Sequence, residues 1–149
     1  MATVGPEAVV AAARALLGTP FHHQGRLPGL ALDCAGVVIC VARSLGLIDP
    51  EFEVNGYPRL PDGVSLRRYC DENLVPVTAS RVGGVVLVSM ARNADPHHLG
   101  IVVPYVHGGG KLAMVHAESL RHKQVIETRL VFGALMQLQG AYRIPGVED

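Results

Sequence analysis

The chain has 149 residues, the size of one ordinary domain at roughly 100–150 residues, and is read as a single domain over residues 1–149. Its composition, 49% apolar against 17% charged, excludes an intrinsically disordered segment and supplies a sizeable core. With 13 basic and 13 acidic residues the formal net charge is zero, which gives no long-range pull toward nucleic acid or an anionic membrane surface. The 3 cysteines cannot all pair within one chain and are too few for a disulfide-built scaffold, so at least one thiol is free.

The segment from Met1 to Gly18 does not read as a secretory signal: it lacks a basic start, carries Glu7 and is broken by Arg14. No run approaches the roughly 18 uninterrupted apolar residues of a membrane span, so the expectation is synthesis in the cytoplasm without membrane insertion. Pro6, the alanine-rich run to Leu17 and Gly18 predict a first helix, and Thr19-Pro20 forces an extended exit. Phe21 to Leu32 reads as a loop with a polar cluster, His22, His23, Gln24 and Arg26. A second helix runs from about Asp33 to Leu45 and stops at Gly46. Its residues Ala35 to Ala42 are apolar on every face, which marks a buried helix. Leu47 to Asp62 reads as irregular and Ser65 to Asn73 as a short helix. Short β-branched or aromatic runs then follow at Val85–Val88, Leu99–Val103, Leu112–Val115, Val125–Leu130 and Ala141–Ile144, with a helical turn near Phe132 to Leu138. Helices first and antiparallel strands second predict an α+β domain with segregated layers.

Cys34 stands at the start of the buried helix, where unpaired N–H groups and the helix dipole favour a thiolate; the same position equally suits a small core residue. Cys40 and Cys70 read as packing residues. Of the 7 histidines, His98 opens an alternating strand in which His98, Gly100 and Val102 share one face, and Gly100 leaves room beside the imidazole. His116 ends the next apolar run. If the two runs form a hairpin turned at His107 to Gly110, His107 is equidistant from both histidines and they meet at one end of the sheet. A thiol, a base and a group that orients the base are the parts of nucleophilic catalysis, and Cys34, His98 and His116 fit those roles in that order; two histidines capping strand ends is the plainer alternative. A metal site is not favoured, because neither Asp95 nor Glu118 completes a ligand pattern with the histidines.

Four motifs in order resemble the NlpC family of papain-like cell-wall peptidases: Leu17-Gly18-Thr19-Pro20-Phe21, Asp33-Cys34-Ala35-Gly36-Val37-Val38, His98-Leu99-Gly100-Ile101 and Met114-Val115-His116-Ala117. His23-Gln24-Gly25-Arg26, the doubled His97-His98 and the ending from Gly140 to Gly146 resemble its branch encoded with tails of phages and gene transfer agents. The resemblance implies a papain-like fold, with N-terminal helices packed on an antiparallel sheet of about five or six strands. It implies a cysteine peptidase of peptidoglycan stem peptides, acting without a cofactor at the bond between D-glutamate and the diamino acid. Cys34 would be the nucleophile, His98 the base, His116 its orienting acceptor, and the Cys34 backbone N–H an oxyanion donor. The implied partners are the stem peptide and tail-tip or baseplate proteins, with the chain carried to the periplasm or wall in a tail particle. Two positions near the nucleophile depart from the family: Phe21 replaces a tyrosine and Ala35 a serine, which leaves His23 or Gln24 to replace the missing phenol. Asp33, beside the nucleophile, is with Phe21, His23, Gln24, Arg26 and Ala35 a candidate oxyanion or substrate-binding residue, and Arg26 is either free for a stem-peptide carboxylate or a solvated loop charge. A structural tail plug and a papain-like amidase or acyltransferase are the alternative functions.

Overall fold

The computed structural model describes residues 3–54, 56–60, 62–90 and 95–149; Met1, Ala2 and two residues of the irregular 47–62 stretch lie outside them. Helix α1 (Pro6–Arg14) has its proline in the first turn and buries Val9, Val10 and Ala13. It ends short of Leu17, and the chain leaves through a turn that closes at Gly18, whose φ of 87° only glycine adopts without strain. The stretch read as a loop contains a two-residue hairpin, β1 (Arg26–Leu27) against β2 (Ala31–Leu32). Its tip turns at Gly29 with φ 82°, and the paired segments are too short for periodicity to reveal.

Helix α2 (Cys34–Ser44) follows within one residue of its expected limits, capped by Asp33, and buries every residue from Ala35 to Ala42. Helix α3 (Ser65–Asn73) matches its expected range. Six strands complete the chain: β3 (Val75–Pro76), β4 (Val85–Met90), β5 (His98–Pro104), β6 (Leu112–Glu118), β7 (Gln124–Arg129) and β8 (Met136–Arg143). They form one sheet in the order β3-β8-β4-β5-β6-β7, and each pairing is antiparallel. The expected helical turn near Phe132 to Leu138 is instead the approach to β8 and its first residues, because Met136 and Leu138 pair with Met90 and Val88. Tertiary pairing overrides local propensity there.

The sheet is apolar on both faces. Leu99, Ile101, Val103, Val85 and Leu87 pack toward the helices in the main core. Val86, Val88, Val102 and Met114 form a smaller cluster on the other face, and all four are fully buried. Each such side chain contributes about 1.5–3 kcal/mol relative to exposure. α1 is tied to β7 by the Arg14–Glu127 ion pair at 2.9 Å. Helix α2 packs on β5, with its first residue near the start of that strand.

Candidate active site

Asp33 fixes the start of α2. Its Oδ1 accepts from the Gly36 N–H at 2.8 Å and from Arg26 Nη1 at 2.9 Å, and its Oδ2 accepts from the Gln24 N–H at 2.8 Å and from the Tyr57 hydroxyl. All four lone-pair positions of this buried carboxylate are filled by the protein itself. Asp33 is therefore a cap and an anchor, not a substrate contact. Arg26 is equally committed. Its Nε bonds Glu53, Nη1 bonds Gly25 O and Asp33, and Nη2 bonds Val54 O and Tyr57, so all five N–H donors are used. The expectation of a guanidinium free for a carboxylate ligand is corrected: the buried counter-charge of Asp33 claims it.

This network aims Cys34. Gly36 and Val37 direct their N–H groups back to Asp33, which leaves the first N–H groups of the helix on the side of the thiol. Cys34 is half-buried, and the backbone N–H groups of Leu99 and Ala35 are near enough to favour its thiolate. Leu99 follows His98 directly, so the thiol sits against the strand that carries the expected base. Burial pushes the thiol up to about 12, and the Asp33 charge adds to that; the two N–H groups and Arg26 oppose it.

The structure brings His98 and His116 together: His98 Nε2 lies 2.7 Å from His116 Nδ1, with the rings edge to face. The register differs by two residues from the one expected. Ile101 pairs with Val115 and Val102 with Met114, which sets His116 level with Gly100 and not with His98. A slip of two keeps both rings on one face, and diagonal neighbours on a sheet remain within reach of long side chains. The room expected beside the imidazole is taken: a Cβ on Gly100 would stand 2.7 Å from Met114 Sδ. Burial holds His98 below the ordinary histidine value, with the His116 and His97 rings adding to it and Glu118 opposing. Burial also lowers His116, opposed by Glu118 and aided by His122. Both rings rest neutral at pH 7, each with one donor and one acceptor nitrogen.

The remaining expected residues do not join this group. Phe21 packs on the core and bridges Leu32. His23 meets Tyr57 edge to face at 5.4 Å. Gln24, held at φ 58°, gives one of its two side-chain N–H donors to Tyr57 O at 3.2 Å, which turns its amide toward the Asp33–Arg26 network. Ala35 presents a buried methyl and no hydrogen-bonding group. Sequence reasoning missed Tyr57, whose phenol completes the Asp33–Arg26 network, and Thr128, whose Oγ1 lies 2.9 Å from His116 Nε2. Tyr57 carried no signal in its irregular segment; Thr128 becomes visible only once the β6–β7 register is known. Among the described residues no group of three His, Cys, Asp or Glu side chains is placed to hold a metal ion, and no helix is long and apolar enough to cross a membrane.

No protein-family model matches the sequence, and no curated protein matches it. Among solved structures, the NlpC/p60 domain of the peptidoglycan hydrolase SagA superposes with a TM-score of 0.59 at 18% identity, over 95% of this chain and 100% of that one. The fold is that of an NlpC/p60 domain. An N-acetylmuramoyl-L-alanine amidase from Bacteroides uniformis, in two crystal structures, shares it with a TM-score of 0.53 at 12% identity, over 93% of this chain and 98% of that one. At these identities the backbone arrangement is what is shared. Within the NlpC/p60 fold this chain places a helix-terminal thiol, a strand-borne histidine pair and the buried Asp33–Arg26 network behind the thiol.

Proposed function

We propose that the chain is a cysteine hydrolase of peptidoglycan stem peptides, with Cys34 as nucleophile, His98 as general base and later acid, and His116 as the group that orients His98. The observation that carries this reading is the His98–His116 pair, 2.7 Å from Nε2 to Nδ1, on the strand whose next residue, Leu99, turns its N–H toward the half-buried thiol at the start of α2. The resting pair is a neutral thiol and a neutral imidazole. As Sγ attacks the amide carbon, the thiol proton passes to His98, which then delivers it to the leaving amine; water hydrolyses the thioester with His98 again as base. Each backbone N–H aimed at the developing oxyanion is worth roughly 10²–10³ in rate, and the Cys34 N–H is the first of these donors. The fold shared with a peptidoglycan hydrolase and with a muramoyl-alanine amidase supports the substrate class. The motif resemblance supports the D-glutamate to diamino acid bond and delivery in a phage-like tail.

The test is incubation of wild type and Cys34→Ala with defined muropeptides under reducing conditions, with products identified by mass spectrometry. A new free diamino-acid amine, lost in Cys34→Ala, is the expected result; release of the whole stem peptide with a free L-alanine amine, the lactyl group staying on the sugar, would make it an amidase. No cleavage by wild type, with assembled tail particles tested in parallel, would refute the reading. A second reading, acyl transfer or hydrolysis of an aliphatic ester or amide, is favoured by one observation. An apolar cavity of about 250 Å³ runs along α2 from Ala35 to Ala42 and is bordered by Leu99, whose backbone N–H favours the Cys34 thiolate. Turnover of p-nitrophenyl octanoate far above acetate, dependent on Cys34, would select it.

A further inference from the structure

Thr128 lies at the end of a diagonal that crosses three neighbouring strands. His98 on β5, His116 on β6 and Thr128 on β7 share one face of the sheet: His116 stands level with Gly100, and Thr128 pairs with Met114, which is level with Val102. Each step across the sheet climbs two residues, and each is closed by a hydrogen bond, 2.7 Å from His98 Nε2 to His116 Nδ1 and 2.9 Å from His116 Nε2 to Thr128 Oγ1.

The protons of this chain are linked. A neutral imidazole carries one N–H, so the His98–His116 contact holds a single proton. If it belongs to His98 Nε2, His98 Nδ1 keeps its lone pair and can take the thiol proton; His116 Nδ1 then accepts, and its N–H stands on Nε2 facing Thr128. If instead it belongs to His116 Nδ1, His98 must carry its own proton on Nδ1 and the base is blocked. His116 is 1% exposed, so water cannot stand in for its Nε2 partner. Thr128 is half-buried and its hydroxyl can donate onward to solvent while it accepts from the ring.

We infer that Thr128 is a positioning residue: its Oγ1 accepts the His116 Nε2–H, fixes that tautomer of His116, and so leaves His98 in the form that can act as base. The inference rests on the proposed role of His98, but part of its test does not. In Thr128→Val the shape and β-branching are kept and the acceptor is lost. A buried N–H without a partner is rarer and costlier than an unmet lone pair, so His116 shifts toward its Nδ1–H form.

The experiment combines kinetics with ¹⁵N NMR of the histidine rings in the full chain at pH 7. Wild type is expected to show His116 as the Nε2–H tautomer. Thr128→Val is expected to show a mixed or Nδ1–H population and a kcat lower by roughly 5- to 100-fold with KM little changed. Thr128→Ser, which keeps the hydroxyl, restores both. The inference is overturned if wild-type His116 is the Nδ1–H tautomer, if Thr128→Val leaves tautomer and kcat as in wild type, or if Thr128→Ser is as impaired as Val. If wild type hydrolyses no substrate, the tautomer comparison alone decides, so failure of the hydrolase reading and failure of this one are distinguishable.

Discussion

Replacing Arg26 by methionine keeps the unbranched apolar stem and much of the volume of the side chain while removing its charge and five donors. The partners left behind are unequal. Asp33 keeps the Gly36, Gln24 and Tyr57 donors, and Glu53 keeps Arg43 at 3.2 Å, whereas Gly25 O and Val54 O lose the bond that Arg26 supplies. Breaking a buried ion pair by removing one partner costs about 3–5 kcal/mol, and the surviving donors on Asp33 place this case near the lower end, about 3 kcal/mol. For a chain of this length 1 kcal/mol moves Tm by roughly 2–4 °C, so Arg26→Met is expected to melt roughly 6–12 °C below wild type. Thermal circular dichroism at pH 7 reads the shift, with urea unfolding at unchanged m-value as the check that only stability moved. Arg26 also lowers the Cys34 thiol, so iodoacetamide should alkylate Cys34 more slowly in the variant at pH 9. Arg26→Lys, a point charge that cannot fork, is expected to fall between the two. A Tm within about 2 °C of wild type would show that the network is not what holds the helix start, and the account of Asp33 and Arg26 would fail.

Acid should destabilise the fold through its histidine pair. His98 and His116 are held below the ordinary 6.5 in the fold, so the unfolded chain binds their protons first. Their contribution is intact above pH 6.5 and is lost as pH falls below it, at up to about 1.4 kcal/mol per pH unit for each ring; urea midpoints of His116→Asn against pH should show the shallower slope, and parallel curves would refute this. Gly36→Ala would place a Cβ 2.3 Å from Gly25 O, a backbone atom that cannot move cheaply. It should cost about 1–3 kcal/mol and slow Cys34 alkylation, as measured by melting and by mass spectrometry. Gly100→Ala meets Met114 Sδ, the flexible end of a side chain, and pairing it with Met114→Ala should recover part of its loss in a double-mutant cycle. His116→Ala should lower kcat while far-UV circular dichroism is retained; full activity would remove His116 from the mechanism.

The α+β layering was legible in the sequence, because a helix apolar on every face followed by short apolar runs between turn signals admits few other burials. Period-two alternation also put His98 and His116 on one face, and a register error of two residues left that conclusion standing because side-chain direction repeats every two residues. Cys34 was legible as a helix-terminal thiol from Asp33 before it and the apolar run after it. What the polar residues around it do follows from long-range contacts. Arg26, Asp33 and Gln24 look like exposed functional groups in the sequence, but they bond Glu53, Val54 and Tyr57, 24 to 33 positions away, and no local pattern encodes a partner at that distance. Thr128 belongs to the site for the same reason: its place beside His116 follows from the pairing of β6 with β7, a long-range register that propensity and periodicity do not set.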